Sequence, residues 1–185
     1  MHFMSWSVDY GDLIELVRRR FGVSIGEDQV ARARATFRIS WKSSIDVARA
    51  IKGLTLEQAK QYLESVVRGE APVPVKGHDK KRPHHSVPWR GWPVARWPKR
   101  TAEAYLELLE NLEGNCTYKG LNASNVVIIH AASSKGAKIP GYMQRAFGRS
   151  SPWYNYEVNV EVAAAELPTE LVPKKLSPSR ILKNS

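Results

Sequence analysis

Arg90, Arg96, Lys99 and Arg100 are interleaved with Trp89, Trp92 and Trp97, the densest grouping of chemically capable side chains in the chain. A guanidinium pairs with phosphate through a planar fork and stacks on a base, and an indole offers a second stacking surface. From Lys76 to Arg100 eight basic residues, Lys80, Lys81 and Arg82 among them, stand against Asp79 alone. A second such stretch follows. Between Glu113 and Glu157 there is no acidic residue, yet Lys135, Lys138, Arg145 and Arg149 fall there, with Gly136, Gly141 and Gly148 interspersed. Like charges so placed repel and have no local counter-charge, so the pattern calls for a polyanionic partner.

Catalytic chemistry is missing from the same inventory. There is no phosphate-binding glycine loop, no dinucleotide fingerprint and no cysteine pair at zinc spacing. His78, His84 and His85 lie in a cationic loop whose charge would repel a metal ion, so no metal and no cofactor is expected. Cys116 is the single cysteine; it lacks an identifiable base, precludes an internal disulfide and suits a reducing compartment. Glu103, Glu107, Glu110 and Glu113 recur at solvent-face spacing with no acid–base partner. No catalytic residue is expected.

The whole chain has 185 residues, with 28 Lys and Arg against 18 Asp and Glu, a net charge of +10 and a pI near 9.8. That length supports one domain with a core plus extensions, and an ordinary apolar content argues against a wholly disordered basic protein. The first residues lack a basic start and a long apolar run, and no segment approaches the ~18 apolar residues of a membrane helix, so neither a signal peptide nor membrane insertion is expected.

Several elements must hold these cations in place. Asp12-Leu13-Ile14-Glu15 reads as a cap, Gly22 as a stop, and Arg18-Arg19-Arg20 as the last turn of a short helix, where the dipole favours cations and an RNA contact is equally open. Ser24 to Val30 reads as a linker. Ala33 to Trp41 alternates: Ala33, Ala35, Phe37, Ile39 and Trp41 on one face, Arg34 and Arg38 on the other, with Lys42 just beyond. Ser43 to Asp46 predicts a capped helix closed by Gly53, and Thr55 to Gln58 another closed by Gly69. Six prolines from Pro72 to Pro98 predict a long irregular loop, in which the tryptophans either anchor to the core or meet a partner. Thr101 to Gly114 predicts the longest helix, with Ala102, Tyr105, Leu106, Leu109 and Leu112 as its apolar stripe.

A hairpin comes last. Val126 to Ala132 forms its first arm; the second alternates, Tyr154, Tyr156, Val158, Val160 and Val162 opposite Asn155, Glu157, Asn159 and Glu161, with about twenty residues between the arms. The expected architecture is α+β: three helices on a small antiparallel three-stranded sheet, with a long protruding β-hairpin. Residues 1–32 are expected to be an N-terminal extension with a short helix. Residues 33–165 would form the RNA-binding domain, with basic loop 70–98 and hairpin 126–162, and residues 166–185 a basic flexible tail.

In this order, Ala48-Arg49-Ala50-Ile51-Lys52-Gly53, Gly91-Trp92-Pro93, Arg96-Trp97-Pro98 and Met143-Gln144-Arg145-Ala146-Phe147-Gly148-Arg149 resemble large-subunit ribosomal protein family twenty-two in its archaeal and eukaryotic form, called large-subunit protein seventeen in eukaryotes. The likeness covers about Ala33 to Val162. It implies a structural, non-enzymatic constituent of the cytoplasmic large ribosomal subunit, monomeric within it, which binds large-subunit RNA and supports assembly. Partners would be that RNA, neighbouring ribosomal proteins and the nascent polypeptide, because the family's hairpin tip reaches the exit tunnel. RNA contacts are then expected at Arg34, Arg38, Lys42, Lys80, Lys81, Arg82, Arg90, Trp92, Arg96, Trp97, Lys99, Arg100, Lys135, Lys138, Arg145 and Arg149. Lys138, Ile139, Tyr142, Met143 and Gln144 are the tunnel-tip candidates. A free RNA chaperone or regulator using the same basic surfaces is the alternative; a nuclease or RNA-modifying enzyme lacks its active-site residues.

Overall fold

The computed structural model describes residues 6–77, 84–173 and 181. In chain order the elements are α1 (Tyr10–Phe21), β1 (Val30–Phe37), α2 (Trp41–Ile51), α3 (Leu56–Arg68), β2 (Val73–Pro74), β3 (Ala95–Arg96), α4 (Lys99–Tyr118), β4 (Val126–Gln144) and β5 (Ser150–Glu166). The main sheet is antiparallel in the order β1-β5-β4, and β2 pairs with β3 in a separate two-residue ladder. The class is the α+β one expected. Lys80, Lys81, Arg82 and His78, together with the basic tail residues Lys174, Lys175, Arg180 and Lys183, lie outside the described residues.

Strand alternation sorts the apolar residues onto two faces. Ala31, Ala33, Val126, Ile128, Val160, Val162 and Ala164 meet α2, α3 and α4 through Ile51, Leu63, Tyr105, Leu109 and Leu112. Val30, Val127, Ile129, Ala163 and Ala165 face the other way and are covered by Leu13 and Val17 of α1. The N-terminal helix is thus the lid of a second core. Segment 24–30, expected as a linker, supplies Ile25 and Val30 to that core, and Val30 already pairs with Ala165. A β-bulge between Ile128 and His130 puts Ile129 and His130 together on the α1 face, since one extra residue reverses every side chain beyond it.

The helix ends separate local from tertiary causes. Thr55 caps α3 as expected, its hydroxyl accepting from the Gln58 N–H at 3.1 Å. The box expected at Ser43 to Asp46 does not form: α2 starts at Trp41 after Ser40 and has no side-chain cap, because Ser44 bonds Tyr105 and Asp46 is buried. Likewise α1 starts after Asp9, which leaves Asp12 in the first turn beside the positive helix end. Helix α4 passes through Gly114 and stops only where Gly120 takes φ 71 and the Leu121 N–H reaches the Cys116 carbonyl at 3.0 Å.

The hairpin is longer than its sequence suggested. β4 and β5 pair from Val126↔Glu166 to Gln144↔Ser150, so most of the residues expected as a loop are ladder. Pro140 is tolerated because β4 is an edge strand. Gly136 sits at a second irregularity between Lys135 and Lys138, where a Cβ would lie 3.1 Å from the Glu157 carbonyl oxygen. Burial ends near Ala131 and Val158, and from Lys135 outward ~3.3 Å per residue carries the apex roughly 35 Å beyond the core.

Candidate nucleic-acid interface

Where the hairpin leaves the core, β1 ends and both α2 and α4 begin, and the three meet around a cleft of about 1020 Å³. Arg38, Lys42, Lys99 and Arg100 line it, with Trp41, Trp153, Tyr154 and Tyr156 as its aromatic walls. A buried polar knot ties together the elements that form it. The Tyr105 hydroxyl of α4 lies 3.0 Å from both the Ser44 hydroxyl and the Ser44 carbonyl of α2, and Ser133 of β4 donates to the Ser44 hydroxyl at 2.7 Å. Helices and hairpin are therefore held in one geometry. Glu157 is the nearby acid, 4.0 Å from Arg38 at the cleft's edge.

Above the cleft, cations sit on aromatic faces. Lys135 Nζ lies 3.8 Å from the Tyr156 ring centroid, and Lys138 Nζ lies 3.6 Å from that of Tyr154. Such stacking holds an ammonium in place while leaving it charged. Tyr154 and Tyr156 continue the face of Val158 and Val160 past the edge of the core, where they become a partly exposed aromatic strip. At the apex, Arg145 and Arg149 close the ladder through a backbone bond of 2.8 Å. Phe147 stands between them at φ 59, 99 % exposed, a left-handed conformation unusual for a bulky residue. Of the tip candidates, Lys138 and Ile139 are paired with Tyr156 and Asn155 well below the turn; Tyr142, Met143 and Gln144 are exposed near it. The segment Met143 to Arg149 reads as the hairpin tip by resemblance, but Phe147 itself is not among the site residues expected from sequence.

In the proline-rich loop the tryptophans have structural partners. Trp89 is buried and donates to the Trp92 carbonyl at 2.8 Å, while Trp92 donates to the Val75 carbonyl at 3.0 Å. Trp97 packs edge-on against His85 at 5.1 Å, its indole N–H buried without a partner among the described residues. Arg90 and Arg96 project outward and are exposed. The rings hold the loop; the cations face solvent.

A second cationic area went unnoticed in the sequence because it is assembled from three elements. Arg20 of α1, Arg49 of α2 and Lys52 come together: burial first, then Arg49 and Arg20, push the Lys52 ammonium below its ordinary range. On the α1 face Arg32 is nearly buried, its guanidinium 3.6 Å from the Tyr10 ring centroid and 5.2 Å from that of Trp6. Beside it His130 Nε2 lies 3.2 Å from Glu161. Burial holds the His130 imidazole below its usual range, with Lys52 and Arg32 adding to this and Glu161 opposing it. Arg34 is exposed and lies 5.1 Å from the Trp6 ring.

Acid is displaced elsewhere: Glu103, Glu107 and Glu110 lie exposed along α4, and Glu113 is paired with Lys60 at 2.6 Å. Cys116 is buried, and burial with Glu113 and Glu166 pushes its thiol up to about 11. Among the described residues no group of His, Cys, Asp and Glu could hold a metal ion, and no helix is long and apolar enough to cross a membrane. The arrangement can bind a polyanion along cleft, hairpin and loop.

Comparison with known proteins agrees with this geometry. The family described as "Ribosomal protein L22p/L17e" matches residues 32–165. A protein of Caldivirga maquilingensis named "Large ribosomal subunit protein uL22" is 52 % identical over 179 residues, covering 96 % of this chain and 97 % of that protein. The protein of that name from Pyrobaculum calidifontis is 56 % identical over 162 residues, with 87 % and 88 % covered, and that of Archaeoglobus fulgidus 40 % over 144 residues, with 75 % and 90 % covered. The match spans both halves of the sheet, the cleft and the whole hairpin, and on it the chain belongs to the ribosomal protein L22p/L17e family.

Proposed function

We propose that this protein is a structural constituent of the large ribosomal subunit that binds large-subunit RNA, supports assembly and lines the polypeptide exit tunnel with its hairpin tip. One observation carries the reading: a continuous surface from cleft to apex bears Arg38, Lys42, Lys99, Arg100, Lys135, Lys138, Arg145 and Arg149 with Glu157 as the acid at its margin, while exposed acids lie on other faces, Asp12 and Glu15 on α1, Glu57 and Glu64 on α3, and Glu103, Glu107 and Glu110 on α4. Those cations are distributed over three elements and a ribbon roughly 35 Å long, a footprint suited to a folded RNA rather than a small anion. Neighbouring ribosomal proteins and the nascent chain are the remaining partners, the latter meeting exposed Tyr142, Met143 and Phe147 near the turn.

The test is a shortened hairpin. Replacing residues 141–153 by Asn-Gly joins Pro140 to Tyr154, which are already paired, through a favourable two-residue turn. The shortened protein should fold and assemble into large subunits, and nascent-chain crosslinks at the depth of the tip should vanish. Unchanged crosslinks would make the hairpin an RNA anchor only; failure to co-sediment with subunits after a high-salt wash, for the unaltered chain, would remove the ribosomal reading.

A further inference from the structure

We propose that the cleft at the hairpin root is a receptor for unpaired RNA, taking one or two extruded nucleotides whose bases stack on its aromatic wall. This rests on the RNA-binding function proposed above and specifies the form of RNA that one site takes. Shape is the first argument. The cleft, about 1020 Å³, is concave and walled by the hairpin on one side and two helix starts on the other. An RNA duplex is convex there and keeps its base faces stacked inside, so it could touch the rim but not fill the space. Flexible single-stranded nucleotides can enter and expose base faces to it.

The second argument is which groups are left for a ligand. Trp153 is 53 % exposed although it lies in paired strand, whereas Tyr154, 41 % exposed, already carries Lys138 on one face of its ring. Trp153 stands opposite Gly141, so no cross-strand side chain covers its ring. Exposed aromatics on a ribbon cost solvation, and a stacked base is a planar partner of matching size. Charge is the third. Lys42 lies in the first turn of α2 and Lys99 and Arg100 in that of α4, where the helix dipole disfavours cations; neither helix has an acid in its first turn or a side-chain cap. Both anomalies disappear if phosphate lies between the two helix starts, bonded by the side chains as bases stack on the ribbon.

Binding of the full-length protein to a single-stranded uridine oligomer of about six nucleotides is compared with binding to a blunt duplex of matched length. The oligomer should bind more tightly, and Trp153→Ala should weaken it roughly tenfold or more while changing duplex affinity less than about twofold, with Trp153→Phe restoring most of the loss. The salt slope for the oligomer should stay the same in Trp153→Ala and flatten in Lys99→Glu/Arg100→Glu. Equal affinity for both RNAs, or a Trp153→Ala effect that is absent or identical on both, overturns the receptor. In that event, weaker binding of both RNAs by Lys99→Glu/Arg100→Glu would leave the RNA-binding reading standing. No binding of either RNA would overturn both.

Discussion

Leu13→Ala should destabilise the isolated protein by about 3 kcal/mol, although it lies outside the segment that sequence reading treated as the domain. Its side chain is 1 % exposed and packs in the cluster of Val17, Ile25, Val30, Val127 and Ile129. Three carbons lost at ~0.8 kcal/mol each give about 2.4 kcal/mol of transfer energy, and the residual cavity adds to that. A helix on the outside of a sheet can relax inward, which keeps the total near the low end of the ~2.7–5 kcal/mol seen for such changes. For a chain of this length the melting temperature should fall by roughly 6–12 °C. Urea unfolding followed by circular dichroism and by tryptophan fluorescence measures it, with Leu171→Ala, at a residue 39 % exposed, as a control expected to change stability by less than about 0.5 kcal/mol. A loss below about 1 kcal/mol for Leu13→Ala would mean that α1 is not docked in the free protein and that the second core needs the ribosome to form.

Tyr105→Phe should cost about 1–3 kcal/mol in the same assay, since the buried Ser44 hydroxyl and carbonyl lose their phenol partner. Cys116 should resist alkylation at pH 8 in the native state and react only on unfolding, because burial keeps its thiol protonated; rapid native labelling would contradict that. Stability should fall as pH drops below about 6.5: with its folded pKa under the unfolded one, His130 contributes fully above the unfolded value and loses that contribution through the folded one. His130→Gln should flatten that part of the stability profile, and an unchanged slope would clear His130 of the effect.

Much of this fold was legible where one local rule decided it. Thr55 with Gln58, Gly22 and Gly69 set helix ends by capping and left-handed backbone alone, and both were observed. Reading failed where tertiary contact overrode the local signal. Ser43 and Asp46 imitate a capping box, but Ser44 is bound by Tyr105, 61 residues away. Pro140, Gly136 and Gly141 resemble a loop, yet a two-stranded ribbon tolerates them in its edge strand, and only Gly148 sits in the turn. The cations of the candidate interface were visible as charge segregation. Their convergence with Tyr154 and Trp153 was not: Tyr154 follows the same alternation as the core valines, so only the place where the core ends decides that it is exposed, and Trp153 is brought to the cleft by the ladder that extends past the core.

The central claim is that the acid-free surface binds RNA through phosphate, and the salt dependence of binding to large-subunit RNA tests it most directly. Affinity is measured over a salt series for the unaltered protein, for Arg145→Glu/Arg149→Glu and for Glu103→Lys/Glu107→Lys. Each phosphate contact contributes about 0.7–0.9 to the slope of log K against log salt, so loss of two contacts at the apex should flatten it by roughly 1.5 and weaken binding. Reversal of the two exposed glutamates of α4 should do neither. Equal flattening by both pairs, or none by the arginine pair, would mean that net charge alone attracts the RNA and that the hairpin does not engage it.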